Sequence, residues 1–255
     1  MELRNVRRLT GVGITPYDVV ADGPGEHLGL PGSTATLVVD LADGLVLSAE
    51  NRTGRTTFRC CIAGIHLRPV TIHHNGLQRG VQLDLSPTAV HAIFGMPASE
   101  ISSDMVELAQ VDTAFARDLH ERLAETPPDD RAVVCADMLA GIEADAEIPY
   151  DAHAAWETIA RRRGDITVSE LVELSGWSAR HLTKLFTAEF GIGPKQAARL
   201  IRFDTARELL EAGRNAGDVA AECGYADQSH MSREFTELTG YSPRGLMKRR
   251  SEEFG

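Results

Sequence analysis

The stretch HLTKLFTAEFGIGP, residues 181–194, returns as HMSREFTELTGYSP at 230–243. At an offset of 49 residues His181 meets His230, Leu182 meets Met231, Thr183 meets Ser232 and Lys184 meets Arg233. Phe186, Thr187, Gly191 and Pro194 recur unchanged as Phe235, Thr236, Gly240 and Pro243. Such a duplication limits the C-terminal hundred residues to two like units joined by the segment between them.

The punctuation around each copy is that of short helices. TVSELVELSG (167–176) reads as a helix capped by Thr167 or Ser169 and stopped near Gly176. SARHLTKLFTAEFG follows after a tight turn, and PKQAARLIRFDTARELLEAG forms a long helix with Pro194 near its start and Gly213 at its end. AGDVAAECG (216–224), the turn YADQ and SHMSREFTELTG then repeat the plan. A short helix, a turn near glycine and a second helix with inward apolar and outward polar residues is the form of a helix-turn-helix. Gly176 and Gly224 mark the turns, which differ in length because they stand 48 residues apart. Leu171 and Leu174 precede the first turn, and Leu182, Leu185 and Phe186 supply the inward face after it. Met231 and Phe235 do so in the second unit, where Ala220 and Ala221 suit a close helix crossing. Outward, Arg180, Thr183 and Lys184 share one face, and Ser229, Ser232 and Arg233 share its counterpart with His230 beside them. These side chains can donate to guanine O6 and N7 and to phosphate oxygens. A helical hairpin with a solvated face explains either copy alone; two copies at fixed spacing favour a pair of DNA readers.

These residues carry a resemblance. Residues 166–250, through SARHLTKLF, FGIGP, LIRFDTARELL and VAAECGYADQSHMSREFTELTGYSP, look like the DNA-binding domain of the AraC/XylS family of bacterial transcription regulators. The resemblance implies two helix-turn-helix units at either end of a connecting helix, entering successive major grooves. A linking helix of roughly seventeen residues is about 25 Å long, which suits readers ~34 Å apart, one DNA turn. It implies double-stranded operator DNA as partner and leaves room for a small-molecule effector, RNA polymerase and a second copy of the chain; it implies no cofactor. One departure follows Pro243, where Leu246 and Met247 stand in place of an aromatic-Arg pair, while Lys248, Arg249 and Arg250 remain able to grip phosphate. Ser229 is a weak counterpart of Arg180, which shifts base reading in the second unit to Arg233 and His230. The N-terminal half resembles, less specifically, the cupin-like sensor domains of the same family.

Read on its own, that half is β structure. TATLVVDL (34–41), LVLSAE (45–50), TTFRCCIAGI (56–65), PVTIHH (69–74) and RGVQLDL (79–85) are short and rich in β-branched residues, as in an antiparallel sandwich or small barrel. LSPTAVHAIFGMP adds a helix capped by Ser86 with Pro87 at its first position. Beyond about residue 104 the period becomes helical: Val111, Phe115, Leu119 and Leu123 form a stripe, and PPDD starts a second helix. The expected fold is therefore a β sandwich or cupin-like barrel over 1–103, a helical hairpin over 104–148 and an all-α double helix-turn-helix over 149–255. The hairpin either closes the sensor core or pairs with a second subunit. DAEIPYDAH (145–153) is the expected linker.

Charge divides in the same way. Residues 1–150 hold 11 Lys+Arg against 21 Asp+Glu, and residues 151–255 hold 15 against 16. The acidic half would repel phosphate, and the near-neutral half argues against tight non-specific DNA binding. No apolar run is long enough to span a membrane and MELRNVRRLTG lacks a signal-peptide core, so a cytoplasmic location is expected. Cys60, Cys61, Cys135 and Cys223 form no CxxC pair. His66, His73 and His74 raise the question of a metal, but adjacent strand residues face opposite ways and no nearby Glu completes a set, so none is expected. The chain is read as a DNA-binding regulator and not an enzyme. The rival readings are an alkyl-transfer protein with a sacrificial cysteine, for which Arg59 beside Cys60 is the only hint, and a DNA-binding dimer without an effector.

Overall fold

A computed structural model of the chain describes residues 11–49, 54–101, 105–142 and 150–254. It resolves into two compact units: Met1–Glu26, Thr34–Gly64 and Thr71–Ile148 in one, His27–Ser33, Ile65–Val70 and Pro149–Gly255 in the other.

The first unit is β-rich. Its strands are β1 (Val12–Val20), β2 (Gly25–Gly29), β3 (Ala35–Asp40), β4 (Leu45–Ser48), β5 (Thr56–Phe58), β6 (Cys60–Ala63), β7 (Val70–His74), β8 (Leu77–Leu85) and β9 (Met105–Glu107). They form a five-stranded sheet in the order β1-β8-β3-β6-β9 and a four-stranded sheet in the order β2-β7-β4-β5. The pairs β1–β8, β8–β3, β3–β6, β6–β9, β7–β4 and β4–β5 are antiparallel, as the alternation of short strands leads one to expect. Side chains with period two fill the core: Ala35, Leu37 and Val39 on β3, Cys60 and Ile62 on β6, Val81, Leu83 and Leu85 on β8. Three helices cover that face: α1 (Pro87–Phe94), capped by Ser86, α2 (Thr113–Glu125), capped by Asp112, and α3 (Arg131–Ala140). Leu119 and Leu123 from the predicted stripe, with Cys135 and Leu139, are buried there.

Three strands escape the sequence reading. β1 carries Pro16 and Asp18, which weaken a strand pattern, but it lies at the sheet edge, where a missing N–H is tolerated. It pairs with β8 along its length, Val12 opposite Leu85 and Val20 opposite Leu77. β2 and β9 are short. The expected strand 56–65 is two strands broken at Arg59.

The second unit holds α4 (Tyr150–Arg161), α5 (Val168–Ser175), α6 (Ala179–Phe190), α7 (Pro194–Glu211), α8 (Ala216–Glu222), α9 (Gln228–Thr239) and α10 (Pro243–Phe254). The expected linker needs correction. Residues 145–149 lie outside the described residues, but 150–153 are helical and His153 is buried. Ala152, Ala155, Trp156 and Ile159 bury one face of α4 at helical spacing. Two segments of the first half, 27–33 and 65–70, belong to this unit: Ile65 is fully buried in its core, with Leu30 and Leu67 packed against it.

Candidate nucleic-acid interface

Both copies of the repeat are built alike. In the first, Thr167 and Glu170 form a reciprocal capping box at the start of α5, and Gly176 ends that helix in a left-handed conformation, φ 71°. Ser178 then accepts the His181 N–H and starts α6. In the second, Asn215 caps α8, Gly224 takes φ 72°, and Asp227 accepts the His230 N–H to start α9. The extra residue of the second turn has a counterpart in its packing. A Cβ at Gly224 would stand 2.6 Å from the Asp165 carboxyl carbon, whereas Gly176 faces open space. Both second helices end at left-handed glycines, Gly191 and Gly240, three residues ahead of the recurring prolines that start the next helices.

The inward residues are the floor of each unit. Leu182, Phe186, Met231 and Phe235 have no exposed surface. What they meet differs. Phe186 stacks on Trp156 of α4 at 5.7 Å and meets Phe190 edge-on at 4.6 Å, while the buried His153 and Glu189 bond at 2.9 Å. Phe235 lies against Phe203 of α7 at 4.7 Å. Beside it the buried Glu234 accepts from Arg202 at 2.9 Å, Arg199 at 3.2 Å and the Tyr225 hydroxyl at 3.0 Å. Burial, and the Glu234 charge second, push the Tyr225 phenol far above its usual range, so it stays a donor to Glu234. The first unit is thus pinned mainly by stacked aromatics and the second by a buried charge cluster. Ala220 is buried as the helix crossing requires; Ala221, expected at the same crossing, is exposed, as is Leu174 before the first turn.

The outward residues separate into two groups. Arg180, Thr183 and Lys184 on α6 and Ser229 and Arg233 on α9 are exposed; Ser232 and His230 are half-buried. His230 takes the Ala226 N–H on Nδ1 at 3.3 Å and stands edge-on to Tyr225 at 5.4 Å, as His181 stands to Trp177 at 4.9 Å. Among the described residues Arg180, Lys184 and Arg233 make no ion pair. The basic tail residues lie on α10 and each has a carboxylate: Lys248 with Glu252 at 3.6 Å, Arg249 with Glu253 at 2.6 Å and Arg250 with Glu211 at 2.7 Å. Phosphate would have to compete with those acids. Leu246, at the departure from the family pattern, is fully buried in the helical core. Two cations were missed. Lys195 and Arg244 follow the recurring prolines at the same offset of 49, are exposed, and make no ion pair among the described residues. The repeat itself was the signal, one residue beyond the stretch compared.

Among the described residues of the first half are cavities of about 290 and 420 Å³. His73 and His74 line the smaller one, but His73 bonds Ser48 at 2.8 Å and lies 3.5 Å from Glu26, a carboxylate from a strand the sequence reading did not recognise. His66 donates from Nδ1 to the Arg68 carbonyl at 2.6 Å. All four cysteines are buried thiols. Burial, with the Glu107 charge second, pushes Cys60 up to about 12 and outweighs Arg59; burial pushes Cys135 up to about 11. Neither is a poised thiolate.

The helix-turn-helix domain family matches residues 171–249. Among curated relatives, YbfI of Bacillus subtilis, an uncharacterised HTH-type transcriptional regulator, is 43% identical over 67 residues, 26% of this chain and 24% of its own length. The HTH-type transcriptional regulator Rv1931c of Mycobacterium tuberculosis is 31% identical over 104 residues, 40% of each chain. The chain thus spans between about a quarter and two-fifths of the length of these relatives. Over the whole fold it is similar to ToxT from Vibrio cholerae, with TM-score 0.56, 10% identity, and coverage of 94% of this chain and 98% of that one. ToxT has also been crystallised with an unsaturated fatty acid bound.

Proposed function

Since residues 171–249 form a helix-turn-helix domain of the AraC/XylS type, we propose that the chain is a sequence-specific DNA-binding transcription regulator controlled by a small molecule at its β-rich unit. The carrying observation is the repeated pair of exposed cationic faces, on α6 and α9, whose Arg180, Lys184 and Arg233 make no ion pair among the described residues, each on a buried aromatic floor and joined by the 18-residue α7. An 18-residue helix is about 27 Å long, and with its flanking units it suits two readers about one DNA turn apart. Arg180 and Arg233 take the base-reading roles, with Thr183, Lys184, Ser229, His230 and Ser232 beside them. Lys195 and Arg244 take phosphate, ahead of Lys248, Arg249 and Arg250. Contacts with RNA polymerase and with a second copy of the chain belong to the same proposal. Two cavities in the β-rich unit support the effector role, and the buried, unactivated cysteines count against the alkyl-transfer reading.

Selection of bound duplexes from a random pool with the full chain tests this. The expected product is a bipartite site whose two halves differ, centred ~10 base pairs apart. A pool that stays unenriched after repeated rounds would remove the reading.

A further inference from the structure

The face of the five-stranded sheet opposite α2 and α3 carries three residues in one row. Tyr17 on β1 stands opposite Gly80 on β8, and Gly80 opposite Asp40 on β3. The row depends on the glycine: a side chain at Gly80 would collide with the Val39 carbonyl oxygen and come 2.6 Å from the Tyr17 hydroxyl. Tyr17 can therefore lean across the sheet beside Asp40.

Asp40 is 8% exposed. Its Oδ1 accepts the N–H groups of Ala42 at 2.9 Å and Gly44 at 2.8 Å. Gly44 holds φ 101°, a conformation that suits glycine, while donating that bond. Among the described residues no donor reaches Oδ2. Tyr17 and Asp40 both line the smaller cavity, whose walls include Leu45, Ile72 and Leu77. Asp43 lines it too, but already takes the Asn75 amide at 2.6 Å. Arg55, which is exposed, lines the same cavity. Burial raises the Asp40 carboxyl above its usual range; the Ala42 and Gly44 N–H groups and His120 act against that, and Asp43 acts with it.

We propose that this cavity is the effector site and that its ligand carries a cationic nitrogen, an alkylammonium or amidinium group, held by Oδ2 of Asp40 with the Tyr17 ring beside it. The proposal rests on the regulator reading above. A buried carboxylate with one committed and one open oxygen is costly until a positive donor meets it. An organic cation supplies a charge-assisted hydrogen bond, and its positive charge is attracted to the face of a phenol ring. The apolar wall takes its hydrocarbon part, and Arg55 repels a second cationic end, so the fitting ligand is a monocation or a zwitterion.

The test uses the full chain and three cations: benzylamine, benzamidine and cyclohexylamine. N-acetylbenzylamine and benzoate serve as neutral and anionic counterparts. Melting temperature and calorimetric titration should respond to at least one cation and to neither counterpart. Asp40→Asn keeps the acceptor for Ala42 and Gly44 and removes the charge. It should melt at or above the wild-type temperature without ligand and lose the cation response. An equal or larger response to benzoate, a retained response in Asp40→Asn, or no response to any cation would each overturn the proposal. Binding to the selected duplex, measured on the same samples, keeps the two readings apart. DNA binding without a cation response removes the ligand class alone. A cation response without DNA binding removes the regulator reading and with it the effector role.

Discussion

Phe186 and Phe235 occupy the same place in the repeat yet stand in different surroundings, one on Trp156 and Phe190, the other on Phe203. Both are fully buried, so truncation to alanine should cost about 3–5 kcal/mol each through lost packing. Urea unfolding measures this, and wild-type midpoints for both variants would contradict the helix-turn-helix floor. The identity of these anchors was legible because a repeat keeps what packing demands. Their partners were not: Trp156 lies on a helix hidden behind an acidic, proline-marked stretch. The cations show the reverse. Sequence marks Lys248, Arg249 and Arg250 as a basic cluster, but it cannot show that Glu252, Glu253 and Glu211 already meet them. Lys195 and Arg244 have no such partner among the described residues. Lys195→Ala and Arg244→Ala should each lower the salt slope of DNA binding by about 1, and Arg250→Ala should change it less. Anisotropy titrations across a salt series decide; a larger loss of slope from Arg250→Ala would reverse the assignment.

Among the elements, capping residues were read well because their chemistry is local. Ser86, Thr167 and Gly176 stand where the sequence placed them. The edge strand β1 and helix α4 escape a sequence reading for tertiary reasons: Pro16 is tolerated at a sheet edge, and the buried face of α4, Ala152, Ala155, Trp156 and Ile159, follows an acidic stretch that reads as a linker. Helix α5 offers a pH test. The Thr167 hydroxyl, then its N–H, donates to Glu170 and holds that carboxyl below its usual range. A depressed carboxylate lends stability that is present above its unfolded value and lost as pH falls through its folded value. The stability gap between wild type and Thr167→Ala should therefore narrow as pH is lowered through the carboxylate range. Denaturant midpoints at successive pH values follow it, and a gap that widens in acid would contradict the capping box.

At the scale of the whole molecule, sequence order and compact unit do not coincide. Segments 27–33 and 65–70 belong with the helices, and Ser33 donates its N–H at 2.8 Å and its hydroxyl at 2.7 Å to Asp204 on α7. Period-two and helical patterning divides a chain into β-rich and helical stretches, but it cannot show that a loop from one stretch completes the core of the other. A fragment beginning at residue 154 would lack those segments along with Ala152 and His153, so the readers are best tested in the full chain. The central claim is that one chain carries two separate readers. Duplex selection with wild type, Arg180→Ala and Arg233→Ala tests it most directly. Each variant should flatten base preference in one half of the selected site, a different half for each, by about 1–3 kcal/mol at the position read. Loss of the same half in both variants, or of neither, would contradict it.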